Sequence, residues 1–299
     1  MSQRIIITGA SGFLGQHCCR VFAAAGWQVI ALSRSGGPDI DGVESVVCDL
    51  LDPAQTGAAI SRLKASHLLH LAWHDAPRDR WTSPVNLDWV AASLALTRAF
   101  AAAGGERLIL AGSCAQYDWS QGPVLSEAKT PLNPASLYGA AKLALSDLLQ
   151  TASDSLGISV CEARIFFCYG PGEPAGRLVP DLIEGLRAGK RVPCTDGLQI
   201  RDYLHAEDIA RALAMIAASD LSGPVNVGSG EGLAVRTLIA EVADQLGRPD
   251  LPQYGALTRA ADDPPELYAD VTRLQALGFA PHFDLQSGVA DTVARWVTR

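Results

Sequence analysis

The sequence predicts an α/β protein built on an open, doubly wound parallel sheet, and three observations carry that expectation. Short apolar runs rich in β-branched residues alternate with helical stretches as far as about residue 170. The first run, RIIITG, is apolar throughout and ends in glycine, as a strand buried on both faces would. A trio of glycines follows it directly and opens a helix.

The elements follow in order. Residues Gly12 to Ala25 read as a helix that Gly26 stops. WQVIALSR is the second strand and VESVVCDL the third, with a helix near Pro53–Ala65 behind them. SHLLHLAW is the fourth strand, and Asn86 to Ala103 is a long alanine-rich helix closed by Gly104-Gly105. RLILAGS is the fifth strand, a helix around Tyr138 follows, and ISVCEARIFFCYG reads as a sixth strand. Past Gly170 the texture changes. GPGEPAGRLVP suits a loop over a site, RDYLHAEDIARALAMIAA reads as a short extended piece plus a helix, and PVNVGSG as a further strand. The expected division is a dinucleotide-binding domain over 1–170 and a smaller α/β substrate domain over 171–299. Within the second, about 203–228 returns to the first sheet.

Composition narrows the function. A chain of 299 residues that is 48% hydrophobic can bury a sizeable core in one large or two closely packed domains. A formal net charge of −8 argues against nucleic acid as partner, because binding phosphate backbones takes clustered Lys and Arg. An anionic small molecule could bind only through local arginines. No apolar run approaches about 18 residues, so no membrane span is expected. MSQRIIITGA runs straight into a strand and does not read as a signal peptide. Seven cysteines without a CxxC fit reduced thiols in a cytoplasm.

The glycine turn is Thr8-Gly9-Ala10-Ser11-Gly12-Phe13-Leu14-Gly15. Gly9 can take the tight turn, Gly12 lets a pyrophosphate reach N–H groups at a helix N-terminus, and Gly15 lets the helix pack close. The end of the second strand selects the dinucleotide. An acidic residue there would bind the ribose 2′-OH of NAD, but this chain has Ser33 and Arg34, which suit a 2′-phosphate. The expected cofactor is therefore NADP, with NAD as the alternative. Asp49 could accept from adenine N6, and Leu50 could pack on the ring.

Tyr138 and Lys142 stand four residues apart, which stacks both on one helix face. An ammonium beside a phenol favours phenolate, so the pair could move a proton near neutral pH. Ser113 ends the fifth strand, where a hydroxyl can orient a substrate oxygen. The bland alternatives are a lysine lying over a half-buried tyrosine, and a serine that merely caps backbone. His67, His70 and His74 span a strand and its loop and cannot share a face, so no metal is expected.

Together TGASGFLG, CDL, HLAW, AGSCAQYD, YGAAK, RIFFCYGPGE, RDYLHAEDIARA and NVGSG resemble the extended short-chain dehydrogenase/reductase family, in its NAD-dependent epimerase/dehydratase group acting on nucleotide sugars. The resemblance implies a Rossmann domain, a C-terminal substrate domain and a homodimer made by a four-helix bundle. It implies Tyr138 as acid/base, Lys142 on the nicotinamide ribose and Ser113 on the reacting oxygen. Leu71, Ala72 and Trp73 would wrap the cofactor, although Trp73 could equally be core. Arg201 would clasp the substrate diphosphate, with an ion pair to Asp202 or Asp208 as its alternative, and Arg177 is a second candidate. Asp118 and Trp119 could line the sugar pocket. Phe167 stands where many relatives carry a substrate-binding Asn. The Asp-Glu pair of sugar dehydratases is replaced by Cys114 and Ala115, which argues against dehydration. These features lead to an NADP(H)-dependent oxidoreductase of a nucleotide sugar, reducing a 4-keto-6-deoxy sugar. A C4 epimerase is the alternative, and a non-catalytic dinucleotide-binding protein a minor one.

Overall fold

Alternation within the first strand sets the architecture. In β1 (Arg4–Thr8) Ile5 and Ile7 face one side of the sheet and Ile6 the other, and all three are buried. Strand β2 (Gln28–Ser33) repeats the pattern, with Val29 and Ala31 on the first side and Ile30 and Leu32 on the second. Such a sheet needs cover on both faces. Helix α1 (Phe13–Ala24) and the helix Ala206–Ala218 cover one. Helices α2 (Pro53–Leu63), α3 (Val85–Ala102) and α4 (Leu137–Leu156) cover the other. The computed structural model describes residues 3–297 except 75, 77, 78 and 262.

The main sheet has seven parallel strands. Their spatial order is Gly223–Val227, Ser159–Ile165, β5 (Arg107–Ser113), β4 (His67–His70), β1, β2 and β3 (Val43–Val47). The run read as one sixth strand is two strands. The N–H of Phe166 still donates to Val227 O (3.0 Å), but that of Phe167 donates to Asp202 O (3.1 Å). Residues Phe167–Tyr169 then pair in parallel with Tyr203–His205. Beyond them, the helices Leu178–Arg187, Val235–Gln245 and Leu285–Val297 build a third apolar cluster. No helix among the described residues is long and apolar enough to cross a membrane.

The chain winds outward from β1 to β2 and β3, then crosses back to β4 and β5. A crevice forms where the direction reverses, between the carboxyl ends of β1 and β4. Gly9 turns the chain there with φ +65°, and a Cβ on it would stand 2.9 Å from Ala72 N. A Cβ on Gly15 would stand 2.1 Å from Gly9 O, so α1 can start this close only on glycine.

A buried hydrogen-bond chain fixes the same corner. The Thr8 hydroxyl accepts from Leu71 N (3.1 Å) and Ala72 N (3.2 Å) and meets His70 Nδ1 at 2.8 Å. His70 Nε2 meets Ser93 Oγ at 2.7 Å, and Ser93 donates to Trp89 O at 2.6 Å. Every contact is met if Nε2 carries the proton and Nδ1 accepts from Thr8. Burial, with the Lys142 charge adding to it, pulls the His70 pKa down to about 3. The unfolded imidazole takes up a proton near its ordinary 6.5 while the folded one resists it. This contribution is therefore complete above pH 6.5 and is lost as pH falls toward about 3. Urea midpoints between those two pH values are expected to fall less in His70→Asn than in the wild-type protein; equal slopes would contradict the assignment.

Candidate functional site

A cavity of about 600 Å³ occupies the crevice, and Gly9, Ser11, Gly12, Phe13, Leu14 and Gly15 all line it. Helix α1 begins there with no acidic residue in its first turn and no side-chain cap. Its unpaired N–H groups and positive dipole end therefore border the cavity, as an anionic ligand requires.

Ser33 and Arg34 reach the wall from the end of β2. The Ser33 hydroxyl donates to Gly36 O at 2.6 Å, while Arg34 is exposed and forms no ion pair among the described residues. Leu50 lines the cavity as expected, but Asp49 does not. Successive residues of an extended chain face opposite ways. Cys48 and Leu50 thus turn inward while the Asp49 carboxylate accepts from Leu51 N at 3.1 Å. Leu71, Ala72 and Trp73 form the wall beyond β4. Trp73 also stacks on buried Trp89 with centroids 6.2 Å apart, so it is at once wall and core. The glycine floor, the open N–H groups and these walls fit a dinucleotide.

Tyr138 and Lys142 both reach the cavity from α4, as their spacing predicts, and Ser113 reaches it from the end of β5. Ser113 caps a short turn, its Oγ accepting from Ala115 N at 3.2 Å. A buried chain stands behind it. Ser113 N donates to Gln116 Oε1 (2.7 Å), Gln116 Nε2 to Glu162 Oε1 (2.6 Å) and Arg164 Nε to Glu162 Oε2 (2.9 Å).

The charges differ from the expectation that Lys142 tunes Tyr138. Lys142 is only 4% exposed, and burial lowers its pKa to about 7, with Glu162 opposing. Its ammonium donates to Ala111 O at 2.9 Å and lies 3.9 Å from the Trp73 ring centre. Burial raises Tyr138 above the ordinary phenol value, and the strongest opposing influence is Arg80, followed by Ser113. In this cleft the phenol therefore keeps its proton at neutral pH.

The substrate-side candidates divide. Phe167, Arg177 and Trp119 line the cavity, whereas Asp118 hydrogen-bonds within its own exposed loop. Arg201 does not line it. It is buried, forms an ion pair with Asp263, donates to Ile200 O at 2.7 Å and lies over the Phe167 ring. Neither Asp202 nor Asp208 is its partner. Asp202 accepts from the N–H groups of Ser229, Gly230 and Ala269, and Asp208 pairs with Arg211. The wall also contains Arg80, Trp81, Glu173 and Tyr203, which the sequence reading did not single out. Arg80 and Trp81 sit in the polar loop after β4, and a loop at a strand's carboxyl end beside the crevice was the available signal. Among the described residues no three His, Cys, Asp or Glu side chains gather as a metal site.

Residues 5–228 match the NAD dependent epimerase/dehydratase family. A UDP-glucose 4-epimerase from Azospirillum brasilense is 26% identical over 99% of this chain and 92% of its own. Among solved structures, the Thermus thermophilus UDP-glucose 4-epimerase in complex with NAD superposes with a TM-score of 0.87 at 27% identity, over 99% of both chains. MoeE5 in complex with UDP-glucuronic acid and NAD does so with a TM-score of 0.85 at 29% identity, also over 99% of both. With a cleft floored by glycines and a family match spanning most of its length, the chain belongs to the NAD-dependent epimerase/dehydratase family of extended short-chain dehydrogenase/reductase enzymes.

Proposed function

We propose that the protein is a nucleotide-sugar C4 epimerase. The observation that carries this reading is the meeting of Ser113, Tyr138 and Lys142 on the wall of the glycine-floored cleft. The 4-epimerase activity of relatives that match over nearly the whole chain supports it. A bound nicotinamide dinucleotide would exchange hydride with the sugar carbon. The chain's residues do the rest. The Tyr138 phenolic oxygen holds the proton exchanged with the sugar oxygen, Ser113 Oγ orients that oxygen, and Lys142 reaches the cofactor ribose. Loss of water from the sugar is disfavoured, because burial pushes the Cys114 thiol up to about 12 and Ala115 has no acid. Residues 1–170, with the returning stretch of about 203–228, supply the dinucleotide side and the rest of 171–299 most of the substrate side; Phe167, at the border, and Arg177 are placed to touch the nucleotide sugar.

Two observations favour a second reading, an NADPH-dependent reductase of a 4-keto sugar nucleotide. No carboxylate ends β2, where Ser33 and Arg34 stand ready for a 2′-phosphate. Tyr138 also holds its proton, as a donor must. The two readings separate by stoichiometry. An epimerase interconverts UDP-glucose and UDP-galactose with no net consumption of added cofactor, whereas a reductase consumes one NADPH per 4-keto sugar. Net consumption would overturn the leading reading. Under either, Tyr138→Phe is expected to lower kcat by about 10²- to 10⁴-fold, and near wild-type turnover would remove Tyr138 from its role.

Arg34→Asp is expected to weaken NADPH binding by about 10- to 100-fold, as a lost charge-assisted hydrogen bond would, and to favour NADH. An unchanged preference, measured by titration of both dinucleotides, would refute the 2′-phosphate assignment. A homodimer through α3 and α4 completes the proposal. Leu87 and Leu148 stand 58% and 52% exposed on these adjacent helices, where a second copy could cover them. Leu148→Lys is expected to shift the mass seen by light scattering toward the monomer; an unchanged dimer mass would place the interface elsewhere.

A further inference from the structure

We infer that Asn86, Trp73 and Trp81 are positioning residues for the Tyr138–Lys142 pair, one buried amide holding an indole against each member. The inference rests on the reading of that pair as the proton-handling groups. Asn86 is the second residue of α3 and is fully buried. Its Oδ1 accepts from Trp73 Nε1 at 2.8 Å, and its Nδ2 donates to Arg80 O at 2.7 Å and Ser83 O at 2.8 Å. One side chain thus ties the exit of β4 to the loop that precedes α3.

Each arm of this tie ends on a member of the pair. The Trp73 face lies 3.9 Å from Lys142 Nζ, and Trp89 stacks with that indole. Trp81 O accepts from Tyr138 N at 3.2 Å, which uses an N–H in the first turn of α4 that has no partner within the helix. The Trp81 ring meets the Tyr138 ring edge-on with centroids 5.5 Å apart. The Arg80 guanidinium lies over both rings, 4.9 Å from the first and 5.7 Å from the second. Trp73, Arg80 and Trp81 all line the cavity, so the frame is part of the cavity wall itself.

A lysine held by one carbonyl could otherwise swing about its four-carbon stem. The indole face confines the ammonium and favours its charged form against burial. A tyrosine fixed by its own N–H and by an edge-on ring has little freedom at χ1 and χ2. Loosening such a group by about 1 Å costs on the order of 10²-fold in rate.

The test uses the full chain and the variants Asn86→Ala, Trp73→Leu and Trp73→Phe, each checked by circular dichroism and thermal melting. Asn86→Ala is expected to lower kcat about 10²-fold with KM for the nucleotide sugar nearly unchanged and the pH profile displaced. The second readout needs no turnover: reductive methylation of Lys142 against pH in the cofactor-free protein, followed by peptide mass spectrometry. Half-labelling is expected near pH 7 in the wild-type protein. It should move lower in Trp73→Leu, which keeps the site apolar but removes the π face, and stay in place in Trp73→Phe. An unchanged labelling pH in Trp73→Leu overturns the inference, as does a lowered melting temperature in Asn86→Ala with unchanged kcat and pH profile. If no nucleotide sugar is turned over by the wild-type protein, the proposed function fails while the labelling arm still decides this inference. If Asn86→Ala does not fold, the two Trp73 variants decide it.

Discussion

The contact on which the rest depends is backbone against backbone. Helix α1 begins so close to the turn after β1 that a methyl group on Gly15 would stand 2.1 Å from the Gly9 carbonyl oxygen. Gly9 in turn lies against the amide of Ala72 at the end of β4. These approaches bring the open end of a helix, the mouth of the sheet and the wall beyond β4 into one crevice. Thr8 then locks the approach with a single hydroxyl that serves Leu71, Ala72 and His70. The position of the candidate site follows from that closeness, since every group on its floor is placed relative to the turn.

The second governing constraint is burial of charge. An ammonium at Lys142 and a phenol at Tyr138 lie in a cleft whose low polarity opposes ionisation of both. The neighbours decide how far. For Lys142 these are a carbonyl, an indole face and the more distant Glu162 carboxylate. For Tyr138 they are the guanidinium of Arg80 and the hydroxyl of Ser113. The four-residue spacing brought the pair to one face, but their electrostatics come from residues far away in the chain.

That distinction explains what the sequence made legible. The glycine turn, the Tyr138–Lys142 face and the position of Ser113 are local patterns, and each reached the cavity as read. Asp49 stands one step of strand parity away from the cavity wall, which Cys48 and Leu50 line. The pairing of Arg201 was not legible, because its partner, Asp263, lies 62 residues further along. Arg80 and Trp81 were passed over because nothing in HDAPRDRWTSP announces a contact with a helix that starts more than fifty residues later. The single strand read over ISVCEARIFFCYG failed for the same reason. Its second half changes partner to Tyr203–His205, and apolar periodicity cannot tell one partner from another.

That change of partner has a mechanical consequence. Between Ile165 and Phe167 the backbone leaves the ladder of the seven-stranded sheet and enters that of a two-stranded one, within two residues. Ile165, Phe166, Phe167 and Cys168 all touch the cavity. One short stretch is therefore both the strap between the two sheets and part of the wall that a ligand meets. A tilt of the smaller sheet has to be absorbed in that strap, so it must reshape the wall, and a ligand pressing on the wall bears on the angle between the sheets.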